Sequence, residues 1–254
     1  MEKALDRKIS LRVYFVLIGC LALLAGTSLF LPQGEMGLSL PQAPLPAPLP
    51  VLALANAGII LVIYGGLGLI GLILARKLGL PEIWDHTLSN RRRFILPALA
   101  GAGLGIVLIV ADVIMAPING IGRFPHPPFP TSFVASISAA IGEEVIFRLF
   151  FISFWTWLVS RIILRRRGQG AVYWVVSGFS AIAFGLGHLP ALMFMHGWTD
   201  LAQIPPVVLG EVIVLNGLIA IAAAYAFKKV GFMGPVGVHL WTDIVWHVLW
   251  GAFR

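Results

Sequence analysis

Apolar stretches of about 18 residues or more recur along the whole of this chain, and that repetition restricts the fold more than any other feature. At 1.5 Å of rise per residue, each is long enough to cross a hydrocarbon core of about 30 Å as a helix. In lipid every backbone N–H and C=O must be bonded within the protein, which leaves only helices or closed barrels. A barrel strand alternates apolar and polar residues, whereas these runs are continuous. The spans expected are Val13–Phe30, Val51–Ala75, Phe94–Ala116, Phe133–Val159, Val172–Met195, Val207–Phe227 and Pro235–Trp250. The fold class is therefore all-α, a polytopic transmembrane helical bundle of about seven to eight helices. A hydrophobic fraction of 59%, charged residues at 11% and a mean hydropathy of +0.93 exclude a soluble domain.

Charge tests the division. With the N-terminus inside, Lys3, Arg7, Lys8, Arg12, Arg76, Lys77, Arg91, Arg92, Arg93, Arg161, Arg165, Arg166, Arg167, Lys228 and Lys229 all fall on the inner side. Arg123 and Arg254 fall outside, and Arg148 lies within a span. This is the positive-inside pattern, so an integral, multi-pass protein with a cytoplasmic N-terminus is expected. The net charge of +7 reads as topology, with the lipid bilayer as partner and no nucleic acid.

The first apolar run is longer than the 7 to 15 residues usual in a signal peptide, so an uncleaved anchor is expected. Leu17 to Cys20 resembles a lipoprotein cleavage box, but apolar sequence continues beyond it. Cys20 is the only cysteine, which excludes an intrachain disulfide or a cysteine-based zinc site. Pro41–Pro50 reads as an extended outer linker, and Gly120–Pro130 as a second outer loop. Gly66, Gly68 and Gly71 match a dinucleotide fingerprint formally, yet they sit inside an apolar helix with no preceding strand, so close helix packing is the better account. Gly101 and Gly105 form a GxxxG pair with the same meaning. Residues 1–130 are read as N-terminal helices with Pro-rich loops, and 131–254 as the part that carries function.

A charged side chain at the bilayer centre costs at least about 2.5 kcal/mol, and those within the spans cluster. In the fourth span, Glu143, Glu144 and Arg148 lie within two turns. At about 100° per residue, Arg148 falls roughly 40° from Glu144 and roughly 140° from Glu143. Glu144 and Arg148 can pair, leaving Glu143 without a local counter-ion, a condition suited to a general base toward water. An ion pair that merely locks two helices would leave one acid unexplained. In the fifth span His188 follows Phe184 by one turn, among Gly185, Gly187 and Pro190. In the last span His239 and Asp243 share a face at i and i+4, and His247 extends the stripe. Together these residues describe a polar cavity within the membrane. Two imidazoles and a carboxylate could bind zinc, or Glu143 and His188 could activate water directly while His239 and Asp243 stabilise the oxyanion. Glu211 and Asn216 are further polar candidates, with Glu211 near enough to the outer interface to be solvated. Asp112, His86, His126 and His196 fall near span ends or in loops, where exposure is expected.

Three ordered motifs then carry a resemblance. Glu143-Glu144-x-x-x-Arg148, Phe184-x-x-x-His188 and His239-x-x-x-Asp243 resemble those of the CAAX prenyl protease and bacteriocin-processing (CPBP, or Abi) intramembrane proteases, over Thr131 to Trp250. The resemblance implies an intramembrane endopeptidase in which Glu143 activates water, His188 assists, and His239 with Asp243 completes the site. It leaves open whether the mechanism depends on a metal or on glutamate alone; a zinc ion would be expected on His188, His239 and Glu144. Asp243 stands at a position the family often fills with Asn, and His247 lies outside the pattern. The expected substrate is a membrane-anchored or prenylated protein or a leader peptide. The rival functions are a proton- or ion-coupled transporter, against which the missing inverted repeat counts, and a catalytically silent immunity or scaffold protein.

Overall fold

The computed structural model describes residues 2–34 and 46–253. Residues 41–45 of the proline-rich linker and Arg254 lie outside that range. Among the described residues all regular structure is helical. Six segments are long and apolar enough to cross a membrane: Glu2–Phe30, Leu49–Leu78, Arg91–Met115, Thr131–Ile163, Gln169–His196 and Pro206–Val230. They are named here α1 to α4 for the first four, α5 for Gln169–Gly187 with α6 for the short Leu189–His196, and α7 for Pro206–Val230. The seventh expected span is also a helix, α8, running Met233–Asp243 and on through Ile244–Trp250. It does not reach the apolarity of the other six, because His239, Asp243 and His247 interrupt it.

Contacts between loops define two ends of the bundle. At one end Arg76 pairs with Glu82 at 2.8 Å, Arg161 donates to the Lys77 carbonyl, Gln169 to the Leu78 carbonyl, and His86 meets Asp6 at 2.7 Å. The Asp6 hydrogen bond, aided by Glu2 and Asp85, holds the exposed His86 imidazole above its ordinary pKa. Asp6, Asp85 and His86 bring their ligand-type atoms within 4.8 Å of one another, and these ionic ties fasten the start of α1 to the loop between α2 and α3. At the other end Thr131 donates to the Pro32 carbonyl, Gly34 lies under Pro128 and Gly251 lies under His126. The basic residues expected inside thus gather at the end that holds the N-terminus.

The core lies where α1, α2, α4 and the α7–α8 turn meet, on Tyr14, Ile18, Leu72, Val145, Leu149, Phe227 and Phe232. Outward-facing Val16, Leu54, Val62, Leu99 and Phe179 are more than half exposed, which suits a surface bathed in lipid and would drive a soluble protein to aggregate. Gly68, Gly71, Gly101 and Gly105 pack helices as expected, whereas a Cβ on Gly66 would meet nothing within 4 Å. A Cβ on Gly68 would meet Tyr14 and Val145, and one on Gly71 would strike the Leu149 backbone. Gly101 and Gly105 let α3 approach α8 so closely that a Cβ would strike the Val238 carbonyl or come within 2.6 Å of the Val245 Cβ. Gly101→Ala is therefore expected to lower stability by about 1–3 kcal/mol through overpacking. Thermal unfolding in detergent would check this; an unchanged midpoint would show that α8 is not held by this contact.

Candidate active site

Local backbone breaks position the polar residues. The helices that carry Glu143, Glu144 and Asp243 turn π-helical directly after these acids: α4 over Val145–Ile152 and α8 over Ile244–Trp250. Such wide turns are frequent at functional sites. In the fifth span the helix stops at Gly187, His188 caps it, and α6 starts anew with Pro190 in its first turn. Proline has no N–H to continue the preceding ladder. Gly185 lies under α7, where a Cβ would come within 3.1 Å of Ile213.

Glu144 and Arg148 are fully buried, and Arg148 Nη1 donates to Glu144 Oε1 at 2.9 Å. The same oxygen accepts a second hydrogen bond, from His239 Nδ1 at 2.8 Å. That contact, across 95 residues of sequence, is not visible in any local pattern. The Arg148 guanidinium also lies 4.6 Å over the Phe184 ring, which packs edge-on against both His188 and His239. With Nδ1 held by Glu144, His239 turns Nε2 toward Glu143 Oε2 at 4.0 Å and Asp243 Oδ2 at 3.5 Å. His188 Nδ1 donates to the Phe184 carbonyl at 2.8 Å, which fixes the tautomer and leaves Nε2 as an acceptor. The Glu143 side chain is 37% exposed, yet its Oε2 is buried and has no hydrogen-bond partner among the described residues.

Glu143, His188, His239, Asp243 and His247 line one cavity of about 330 Å³. Its wall continues through Leu108, Leu192, Leu215 and Ile219 to Phe124, Pro125 and Pro127, so it runs from the polar cluster toward the end of the bundle opposite the N-terminus. The sequence places Glu143 and His188 toward that end and His239 toward the inner one; in the fold all three line the one cavity.

Three expectations need correction. Asp112 is 1% exposed and accepts the Phe124 N–H at 3.0 Å. Glu211 is 6% exposed and takes a hydrogen bond from Asn119, so neither acid is exposed at a span end. His126 is half-buried against Trp246, with Nδ1 3.2 Å from His247 Nδ1, and burial pushes it below its ordinary pKa. His86 and His196 are exposed as expected. Of the residues expected to hold zinc, His188 and His239 line the cavity, and Glu144 bonds His239 through Nδ1.

A helical bundle enclosing a buried acid, base and imidazole cluster defines the class of intramembrane polar sites. Residues 125–250 match the family described as type II CAAX prenyl endopeptidase Rce1-like, and this part of the chain belongs to that family of membrane proteases. No curated protein and no solved structure gives a significant match to the chain. The protein is accordingly an integral, multi-pass membrane protein of a protease family.

Proposed function

We propose that this protein is an intramembrane endopeptidase that cleaves a membrane-associated protein or peptide, with Glu143 as the base that activates water. The observation that carries the reading is the division of labour between adjacent acids. Glu144 is consumed by Arg148 and His239, whereas Glu143 faces the cavity opposite His239 Nε2. In this reading Glu143 takes a proton from water as the water oxygen attacks the scissile carbonyl, and the His188 Nε2 lone pair holds that water in place. The oxyanion that forms accepts a hydrogen bond from a protonated His239 Nε2, a donor oriented by Glu144 and flanked by Asp243. Collapse breaks the C–N bond, and the proton on Glu143 passes to the leaving amine. Family membership supports the reaction class, and the gathering of basic residues at one end supports a cytoplasmic N-terminus. The cavity would then receive its substrate from the opposite half of the membrane.

The test is to incubate the purified protein in detergent with membrane-anchored and prenylated peptides, wild type beside Glu143→Ala. Cleavage by the wild type alone is expected; proton flux in liposomes without cleavage would instead establish a transporter.

Asp243 distinguishes a metal-free site from one with a metal. Here it stands 3.5 Å from His239 Nε2, a distance that suits orientation. Asparagine keeps the shape and one acceptor oxygen, so Asp243→Asn is expected to forfeit about 1 kcal/mol, or less than about tenfold in rate. Stoichiometric zinc in the wild type, lost together with activity in the variant, would overturn that expectation, since a neutral amide is a poor ligand.

A further inference from the structure

The cavity holds a second acidic group that hydrolysis does not use. Val212, Leu215, Asn216 and Ile219 share with Glu211 the face of α7 that lines it, as spacings of three and four residues require. Glu211 is 6% exposed. Its Oε2 accepts one long hydrogen bond, 3.3 Å, from the neutral amide of Asn119, and its Oε1 is buried with no partner. No Lys, Arg or His among the described residues pairs with it. Asp112 lines the same cavity from α3, and no Lys or Arg among the described residues does so. Two acids therefore stand beside the apolar part of the cavity, away from the Glu144–Arg148 pair.

We propose that Glu211 is a specificity-determining residue that receives a cationic side chain, the ammonium of Lys or the guanidinium of Arg, from the peptide to be cut. The inference rests on the protease reading above and adds the chemistry of the substrate. A buried carboxylate oxygen without a partner is costly, and a cation entering the cavity removes that cost by bonding Oε1 and balancing the charge. Inside a low-dielectric wall the attraction far exceeds its value in water. A peptide that offers a neutral group at this point leaves Glu211 unpaired, the arrangement by which buried polar groups discriminate most strongly. A free C-terminal carboxylate at the same point meets Glu211 and Asp112 as like charges. The site thus favours a bond flanked by Lys or Arg.

The test uses farnesylated peptides identical except at one position, which carries Lys or N-acetyl-lysine and is moved through the residues on either side of the cut bond, mapped by mass spectrometry. At one position the wild type is expected to cleave the Lys peptide at least about tenfold faster in kcat/KM than the acetylated one, and Glu211→Gln is expected to bring that ratio close to one. A merely structural role would slow both peptides together and leave the ratio intact, which would overturn the proposal. So would equal handling of the two peptides by the wild type at every position, a comparison that does not depend on the variant folding. Binding of the same peptides to Glu143→Gln protein separates the two readings. A Glu211-dependent preference in binding, with no cleavage by the wild type, would sink the protease and leave the cation site standing. Cleavage without charge preference would do the reverse.

Discussion

Glu143→Gln is expected to lower peptide cleavage by about 10²- to 10⁴-fold, the usual worth of a positioned general base, while the melting temperature stays at the wild-type value. The amide has nearly the volume of the carboxylate but cannot take a proton from water. Nothing in the packing opposes the change: the side chain is 37% exposed, and its buried oxygen has no partner among the described residues. Cleavage rates and thermal unfolding measured on the same preparations would check both halves. Turnover close to wild type would remove Glu143 from the role of base, and a large loss of stability would assign it a structural one.

Glu144→Gln is expected to act through stability, by about 3–5 kcal/mol, the cost of stripping one partner from a fully buried ion pair. One carboxylate oxygen serves both Arg148 and His239, and Arg148 is 0% exposed. Two of its nitrogens, Nε and Nη2, already lack hydrogen-bond partners among the described residues, so the cation has little else to lean on beyond the Phe184 ring. The double variant Glu144→Gln/Arg148→Met removes the stranded charge and is expected to regain most of the stability. It is not expected to regain activity, because His239 still lacks the carboxylate that orients its ring. A double variant no more stable than Glu144→Gln would show that the stranded arginine is not the source of the loss.

Some of this architecture could be read one residue at a time. The pairing of Glu144 with Arg148 follows from two positions four apart on one helix, and the packing role of Gly68, Gly71, Gly101 and Gly105 follows from small residues in apolar runs. The bond from His239 to Glu144 could not be anticipated, because the partners lie on separate helices and each has a satisfying local reading, His239 with Asp243 and Glu144 with Arg148. The burial of Asp112 and Glu211 was hidden for a different reason. Their places near span ends indicate water, but the segment from Asn119 to Phe124 folds back and binds both carboxylates.

The sequence by itself determined that the chain belongs in a membrane, that helices cross it about seven times, and which polar residues enter the apolar spans. Those properties depend on transfer free energy and helical periodicity, and both are summed over neighbours in the chain. Tertiary structure alone decided which of those residues meet. It ended α5 at His188 and turned α4 and α8 π-helical beside their acids. It also let α3 pack against α8 through bare glycine backbone. It brought Glu143, His188, His239 and Asp243 to one cavity. Convergence of that kind is set by the close packing of several helices at once, and no single stretch of sequence contains it.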